Sequence, residues 1–299
     1  MSNIKIMSLG GLGENGKNMT VVEVNNKIFI LDAGMRYPDI DMYGVDLVIP
    51  NIDYLISHKQ NIQGIFISHG HEENVGAIAY LLKQLHTKVY ATNFTISIIE
   101  EMLKQHHLNI KEYKLYRINA NKVMNFGDVD VSFFNTTHSL PETIGISINT
   151  KDGSIVYCTD FNFSSVSNYK YRTTFEKITD LGKNKVLALL AESVNAGVSN
   201  RVTTDTLLEH HYKSVLLENN KRIFVAAYVS DLIRIQKIID LSKTKWFHTP
   251  DKKSITRPDG NVGIGVSEGT NPSAKLDIRN NDKNLIGLSV TSPVSLNSP

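Results

Sequence analysis

This chain of 299 residues has one cysteine, a net charge close to zero and no long apolar run. The single cysteine, Cys158, excludes an intramolecular disulfide and is typical of a protein from a reducing compartment. A formal net charge of +2 produces no overall field toward nucleic acid or an anionic membrane, although it leaves room for a local basic groove. No apolar run approaches the roughly 18 residues of a membrane-spanning helix, and the first residues lack a signal-peptide pattern. We therefore expect a cytoplasmic protein with no membrane partner.

A glycine-rich stretch at residues 11–16 has the G-x-G-x-x-G spacing of a dinucleotide-binding loop. Asp32 follows it at about the sequence separation expected for an acidic residue that binds the ribose. That fingerprint requires a helix directly after the glycines. Two β-rich runs, at residues 19–24 and 27–31, follow instead and flank an Asn-Asn pair. They predict a hairpin, so we interpret the glycines as a loop.

The remaining patterns predict a mixed α/β protein. Short apolar runs predict strands at residues 62–68, 88–91, 129–134, 144–148, 154–158 and 186–190. Helical spacing of apolar residues predicts helices at residues 76–85 and 95–104. Strands with intermittent helices and repeated hairpins favour a layered α/β domain over a doubly wound parallel sheet.

Polar residues stand at the carboxyl ends of several predicted strands: Asp32, His69 with His71, His138, Asp160 and Glu192. Strands that point the same way would bring these side chains together. Three imidazoles and a carboxylate suit Zn²⁺ or a similar divalent ion. For the seven other histidines we favour an ordinary hydrogen-bonded role; they are His58, His86, His106, His107, His210, His211 and His248.

Distinctive motifs lie at residues 10–14, 16–19, 37–39, 44–50 and 68–72, and others at 136–139, 159–161, 192–193 and 195–196. Together they resemble the motifs of the ribonuclease J family. The resemblance runs from about residue 4 to about residue 243. It implies a metallo-β-lactamase αββα sandwich with an inserted β-CASP domain. It also implies two-metal hydrolysis of RNA in active members.

The resemblance also assigns the site. The first metal ion would be bound by His69, His71, His138 and a bridging Asp160. The family motif reads His-x-His-x-Asp-His, and its last two positions hold Glu73 and Asn74 here. Glu73 keeps a carboxylate, so it is placed with Asp160 among the catalytic and metal-binding residues, whereas Asn74 offers only a neutral carbonyl oxygen. We expect one Zn²⁺ or Mn²⁺ ion per chain, bound in an intact first site beside a degraded second one.

Two further residues are assigned to substrate binding by the same resemblance, Glu192 and Ser230. The family's late segment, which would carry the last metal ligand, has no counterpart, so we expect an incomplete sandwich. The predicted domains are a metallo-β-lactamase-like domain at residues 1–203, a partial β-CASP-like segment at 204–245 and a tail at 246–299. Within the second we expect a strand at 222–230 and a helix at 232–241. Uncovered apolar faces predict a homo- or hetero-oligomer.

The tail has two interpretations. Residues 259–265 and 271–278 resemble a recurrent segment of phage tail-fibre proteins, and such a junction suggests a chimera. The same residues are also compatible with a flexible polar tail.

Three functions follow from these patterns. The first is a degenerate ribonuclease J-like subunit for RNA processing or decay, weak or inactive alone and acting with an active ribonuclease J homologue. The second is a working one-metal or weak two-metal hydrolase with Glu73 as a ligand. The third is a non-catalytic structural or interaction protein with a fibre-like tail.

Overall fold

A computed structural model of the chain describes residues 1–162, 168–194, 196–197, 205–218, 223–243, 247–248, 254–256 and 263–265. The chain divides into two compact units, Met1–Val198 and Ser199–Pro299. Among the described residues, no helix is both long and apolar enough to cross a bilayer.

The first sheet has six strands in sequence order. They are β1 (Ile4–Gly10), β2 (Met19–Val24), β3 (Lys27–Leu31), β4 (Ile62–Phe66), β5 (Lys88–Ala91) and β6 (Lys114–Arg117). The β1, β2 and β3 strands are antiparallel, and β3 to β6 run parallel. Asn25 and Asn26 connect β2 to β3 with positive φ angles of 49° and 67°, which is the turn that an Asn pair favours. The predicted hairpin is therefore confirmed, and the glycines at 11–16 precede a strand and not a helix.

The second sheet has five strands in the order β11-β10-β9-β8-β7. They are β7 (Val123–Asn125), β8 (Asp130–Asn135), β9 (Ile144–Thr150), β10 (Gly153–Cys158) and β11 (Val186–Ala191). The β7 to β10 strands are antiparallel to their neighbours, whereas β11 runs parallel to β10. As a result the carboxyl ends of β8, β10 and β11 all lie on the same side of the sheet.

Seven helices lie among the described residues. They are α1 (Asp53–Ser57), α2 (Glu72–Val75), α3 (Ile78–Leu85), α4 (Asn93–Gln105), α5 (Phe175–Lys183), α6 (Asp205–Lys213) and α7 (Leu232–Lys243). Short 3₁₀ turns occur at Lys59–Asn61, Ile110–Glu112 and Tyr169–Tyr171, and a π-helical turn at Ser214–Glu218. The predicted helices at 76–85 and 95–104 correspond to α3 and α4.

The first unit is built in four layers. Apolar residues of α3 and α4 pack on one face of the first sheet, against side chains such as Ile30 and Ile65. The opposite face, with Phe29 and Phe66, packs on the second sheet through Ile146 and other β-branched residues. On the outer face of the second sheet, Ile178 and Leu181 of α5 cover Val156 and its neighbours. Because β3 is buried on both faces, its residues 28–31 are all apolar. The αββα sandwich implied by the resemblance is confirmed.

The second unit departs from one expectation. Residues 223–230 form no strand, and they run irregularly into a turn before α7. Phe224 and Tyr228 are exposed at 68% and 83%, because no strand within the described residues pairs with this segment. The predicted strand at 222–230 is therefore wrong for the described residues, whereas the predicted helix at 232–241 is confirmed by α7.

The remaining strands of the second unit form a small antiparallel sheet of β12 (Phe247–His248), β13 (Ser254–Thr256) and β14 (Gly263–Gly265). Residues 259–262 and 271–278 of the fibre-like tail lie outside the described residues. The predicted boundary at residues 203/204 also lies outside them, so the three-domain division stays a prediction.

Candidate metal centre

Three strands of the first unit, β4, β8 and β10, are followed by polar side chains that come together. His69 and His71 follow β4, His138 follows β8 and Asp160 follows β10. A backbone hydrogen bond from Asn162 N to Thr137 O, 2.9 Å long, holds the loops after β8 and β10 side by side. Side chains that are distant in sequence thus come together after strands of both sheets, as the pattern of strand-end residues predicted.

The four side chains form a compact cluster of possible metal ligands. One ligand atom from each of His69, His71, His138 and Asp160 lies within 4.8 Å of the others. His71 Nδ1 is 3.0 Å from Nε2 of His69 and 3.0 Å from Nε2 of His138. Asp160 Oδ2 lies 3.1 Å from His69 Nε2. The three imidazole rings are nearly perpendicular to one another, with interplanar angles of 82°, 75° and 85°.

These donors fit a divalent cation. Nitrogens bound to a tetrahedral Zn²⁺ at about 2.0–2.1 Å lie about 3.3 Å apart, close to the nitrogen separations observed here. Three imidazoles and one carboxylate also match the ligand types that a zinc-class ion prefers. His69, His71, His138 and Asp160 would therefore hold one ion in an arrangement that the protein has already formed.

Burial keeps the His138 imidazole neutral. Burial, with a smaller contribution from the neighbouring His69, lowers the pKa of His138 to about 3, although Asp160 opposes the shift. A neutral imidazole retains the lone pair that metal binding needs. Because His71 Nδ1 faces the cluster, its Nε2 lies on the other side of the ring, 3.3 Å from Ser139 Oγ.

Asp160 and Glu192 form a carboxyl pair at the edge of the cluster. Burial raises the pKa of Glu192, and a hydrogen bond with Asp160 raises it further. Burial alone would raise the pKa of Asp160 too, but the hydrogen bond and charge of His69 outweigh it and hold that pKa below its usual range. Glu192 Oε1 also accepts a 2.8 Å hydrogen bond from Phe161 N. Glu192 thus holds the proton and Asp160 the charge, which leaves Asp160 ionised as a metal ligand.

Glu73 lies outside this cluster. It belongs to α2, its side chain is exposed, and it is not among the described acidic residues grouped with the three histidines. Its backbone carbonyl accepts a 2.9 Å hydrogen bond from Asn18 N. Gly34 permits this approach, because a Cβ at that position would stand 1.7 Å from the Glu73 carbonyl oxygen. The backbone of α2 is therefore pinned, while the Glu73 carboxylate points to solvent.

Asn74 is fully buried and hydrogen-bonded on both sides. Its Nδ2 donates to Asp32 Oδ2 at 2.7 Å, and its Oδ1 accepts from Asn18 Nδ2 at 3.3 Å. The carboxamide is thus part of a protein-internal network.

Asp32 is the centre of that network and is itself fully buried. Besides Asn74, it accepts hydrogen bonds from Ser68 N at 2.7 Å, Ser68 Oγ at 2.8 Å and Tyr157 OH at 2.8 Å. Burial raises the pKa of Asp32, and the charge of His69 and these donors act against that rise. Asp32 and Asp160 also share a left-handed backbone, with φ angles of 62° and 51°, a conformation that Asp tolerates better than most residues.

The other predicted site residues lie in different places. Glu192 adjoins the cluster as described, whereas Ser230 belongs to the second unit, in the turn before α7. The sequence reasoning missed Ser68, Tyr157 and Thr159, which contact Asp32 or one another. The available signal was the polar residue directly before His69 and the tyrosine near the end of β10.

Comparison with known proteins identifies the class. Residues 44–174 match the beta-lactamase superfamily domain. A solved structure of a protein of unknown function from Enterococcus faecalis has a TM-score of 0.59, covering 80% of this chain and 63% of that one at 17% identity, which supports the fold alone. The fold and the histidine–aspartate cluster together define a metallo-β-lactamase-fold protein with a divalent metal centre.

Sequence similarity gives the narrower assignment. Ribonuclease J 2 from Staphylococcus saprophyticus is 41% identical over 241 residues, covering 81% of this chain and 43% of that protein. Ribonuclease J 2 from Streptococcus pyogenes is 41% identical over 240 residues, covering 80% and 43%. The chain belongs to the ribonuclease J family. It spans less than half the length of the curated relatives that it matches.

Proposed function

We propose that the chain is a ribonuclease J-like metallo-hydrolase homologue for RNA processing or decay, with one working metal site and little activity alone. The observation that carries the proposal is the contrast within one short segment. His69 and His71 aim nitrogens into the cluster, whereas Glu73 points to solvent and Asn74 is hydrogen-bonded within the protein. The second-metal position of the family motif therefore lacks an available ligand in this arrangement.

The side chains suggest how the site would work. A divalent ion held there would supply Lewis acidity toward a phosphodiester and lower the pKa of a water molecule. His138 contributes a neutral imidazole, and Glu192 keeps Asp160 ionised by holding the shared proton. Without a second ion, the leaving group has less electrostatic stabilisation. Each 1.4 kcal/mol of lost transition-state stabilisation costs about tenfold in rate.

The finer assignments also belong to the proposal. Zn²⁺ is favoured over Mn²⁺ because imidazole suits zinc well and Mn²⁺ prefers oxygen ligands. RNA as substrate is supported by the ribonuclease relatives. Asp160 as a catalytic residue, and Glu192 and Ser230 in substrate binding, are retained as assignments to test. Glu73 as a catalytic and metal-binding residue stays a prediction from the resemblance, and its exposure outside the cluster argues against it. A cytoplasmic location is supported by the single cysteine, Cys158, which is free and buried.

Metal analysis combined with an RNA cleavage assay tests this function. We expect one zinc ion per purified chain, negligible cleavage by the chain alone, and loss of the ion in His71→Ala. Rapid metal-dependent cleavage, abolished by His71→Ala, would instead establish an independent hydrolase. A metal-free trimer would favour the structural or interaction protein.

Association with a partner is supported by the edge of the second sheet. The β11 strand consists of six apolar residues, and Leu187 and Leu189 are exposed at 39% and 64%. In the described residues β11 pairs only with β10, so its other edge offers free backbone groups. We propose self-association or binding to an active ribonuclease J homologue through this edge. Sedimentation of the chain with and without that homologue tests it, with Leu189→Lys as the variant that should remain monomeric.

A further inference from the structure

A chain of buried hydrogen bonds leads from Asn74 to the metal-facing histidine His69. We propose that Asn74 is a positioning residue, which orients the His69 imidazole and selects its tautomer through Asp32 and Ser68. The inference rests on the proposed metal centre and adds a role for the residue that departs from the family motif. Asn74, Asp32, Ser68 and His69 are all 0% exposed, so water cannot replace these contacts.

The orientation of the Asn74 carboxamide follows from its partners. Asp32 accepts a hydrogen bond from the backbone N–H of Ser68, which can only donate, and the tyrosine and serine hydroxyls also converge on this carboxyl group. The group facing Asp32 Oδ2 is therefore the amide nitrogen of Asn74, and the carbonyl oxygen faces Asn18. Asn18 in turn is held by its own backbone, since its N–H donates to Glu73 O and its carbonyl accepts from Gly34 N.

The next link fixes the direction of the Ser68 hydroxyl. Ser68 Oγ donates its hydrogen to Asp32 Oδ2 and accepts one from Thr159 Oγ1 at 3.1 Å. It lies 3.0 Å from His69 Nδ1. Because the serine hydrogen is already used, Ser68 can only accept from the imidazole, so Nδ1 carries the proton. His69 Nε2 is then the nitrogen that faces the ligand atoms of His71 and Asp160, where a bound ion would replace its hydrogen.

This arrangement gives position 74 a role at the first ion. Supporting hydrogen bonds of this kind typically contribute 10–100-fold to metal affinity, because they fix the ring and the tautomer. Asn74 supplies the donor that restrains Asp32, and Asp32 restrains the serine hydroxyl. The amide therefore supports a neighbouring ligand from a position where it cannot itself act as one.

The test measures tautomer and affinity in the same full-length variants. In zinc-loaded protein, ¹⁵N-histidine NMR should show His69 with its hydrogen on Nδ1 and with Nε2 on the ion in the parent, and a mixture of the two arrangements in Asn74→Ala. Zinc affinity, measured by chelator competition, should fall 10–100-fold, and the visible spectrum of the Co²⁺-loaded protein should shift. The matched control is Asn149→Ala, which removes a half-buried carboxamide bonded to Ser132, Ser147 and Ser154 near the opposite end of β9 and should change none of these readouts.

The outcomes separate this inference from the proposed function. Equal zinc affinity and one unchanged His69 tautomer in parent and Asn74→Ala would overturn the positioning role and leave the metal centre standing. A parent chain that binds no zinc would overturn the metal centre, and the positioning role of Asn74 with it. If Asn74→Ala does not fold, Asn18→Ala and Tyr157→Phe each remove one contact of the network and should lower zinc affinity several-fold. No change in either variant would overturn the role.

Discussion

The two halves of the segment from Ser68 to Asn74 differ in where their polar groups are directed. His69 and Asn74 are equally buried, and both meet the requirement that buried polar groups be hydrogen-bonded. His69 uses one nitrogen within the protein and presents the other to the cluster. Asn74 uses both ends of its carboxamide within the protein. Burial alone therefore does not make a ligand; a free lone pair aimed at a common point does.

Removing a metal-facing histidine should have the largest effect on zinc affinity. We expect His71→Ala to lose more zinc affinity than the roughly 100-fold that loss of a supporting residue costs, because one of four donors disappears. Chelator competition measures the change. His58→Ala, which affects a histidine stacked on Tyr54, is the control and should bind zinc normally. Unchanged zinc content in His71→Ala would show that the ion is held elsewhere.

Restoring the family motif at positions 73 and 74 tests directly the contrast between His69 and Asn74. In Glu73→Asp/Asn74→His we expect no second ion, because the side chain at position 74 is directed at Asp32 and Asn18 and is not part of the ligand cluster. We also expect the free energy of unfolding to fall by about 1–3 kcal/mol, because Asn18 is left without its buried acceptor. Metal analysis and urea unfolding measure the two quantities. A second ion, or RNA cleavage, would show that two substitutions suffice to restore the family site.

Glu192 should have an intermediate effect. Glu192→Ala removes the hydrogen bond to Asp160 and the acceptor for Phe161 N, so we expect about tenfold weaker zinc binding. Glu192→Gln should bind zinc more nearly as the parent does, because its amide can donate to Asp160 and its carbonyl can accept from Phe161 N. Equal losses in the two variants would show that the negative charge of Glu192 matters, and not its hydrogen bonds.

His138 should make the metal-free protein sensitive to acid. Its pKa is about 3 in the folded chain and 6.5 when unperturbed, so between these values the unfolded chain binds a proton that the folded chain does not. The free energy of unfolding should therefore decrease as pH falls from about 6.5 toward 3. Urea unfolding in the presence of a chelator should show a shallower decrease in His138→Gln. An identical pH dependence would contradict the burial of a neutral His138.

Substitution of Glu73 should have the smallest effect on zinc affinity. Its carboxylate is exposed and outside the cluster, so Glu73→Ala should change zinc affinity by less than about twofold, against the 10–100-fold typical of residues that support a metal ligand. The same titration measures it. A larger loss would restore Glu73 as a ligand and weaken the contrast between the two halves.

Much of the fold was predictable because local rules and tertiary packing agree. The Asn25-Asn26 turn, the apolar strands β3 and β4, and the spacing of α3 each have a local signal that the layers preserve. The segment at residues 223–230 has the same apolar character, yet it forms no strand among the described residues. A strand needs an adjacent strand to hydrogen-bond its backbone, and the sequence of the segment does not show whether the fold supplies one.

The sequence by itself determined the ancestry of this chain and the identity of its four metal-facing residues, because ligand type and spacing after a strand are local properties. Only the tertiary structure decided what Asn74 does. Its partners Asn18 and Asp32 lie 56 and 42 positions away in the chain, and the direction of a carboxamide depends on which groups the fold brings to each end of it. The same reason explains Glu192, whose proton is shared with a carboxylate from a different strand.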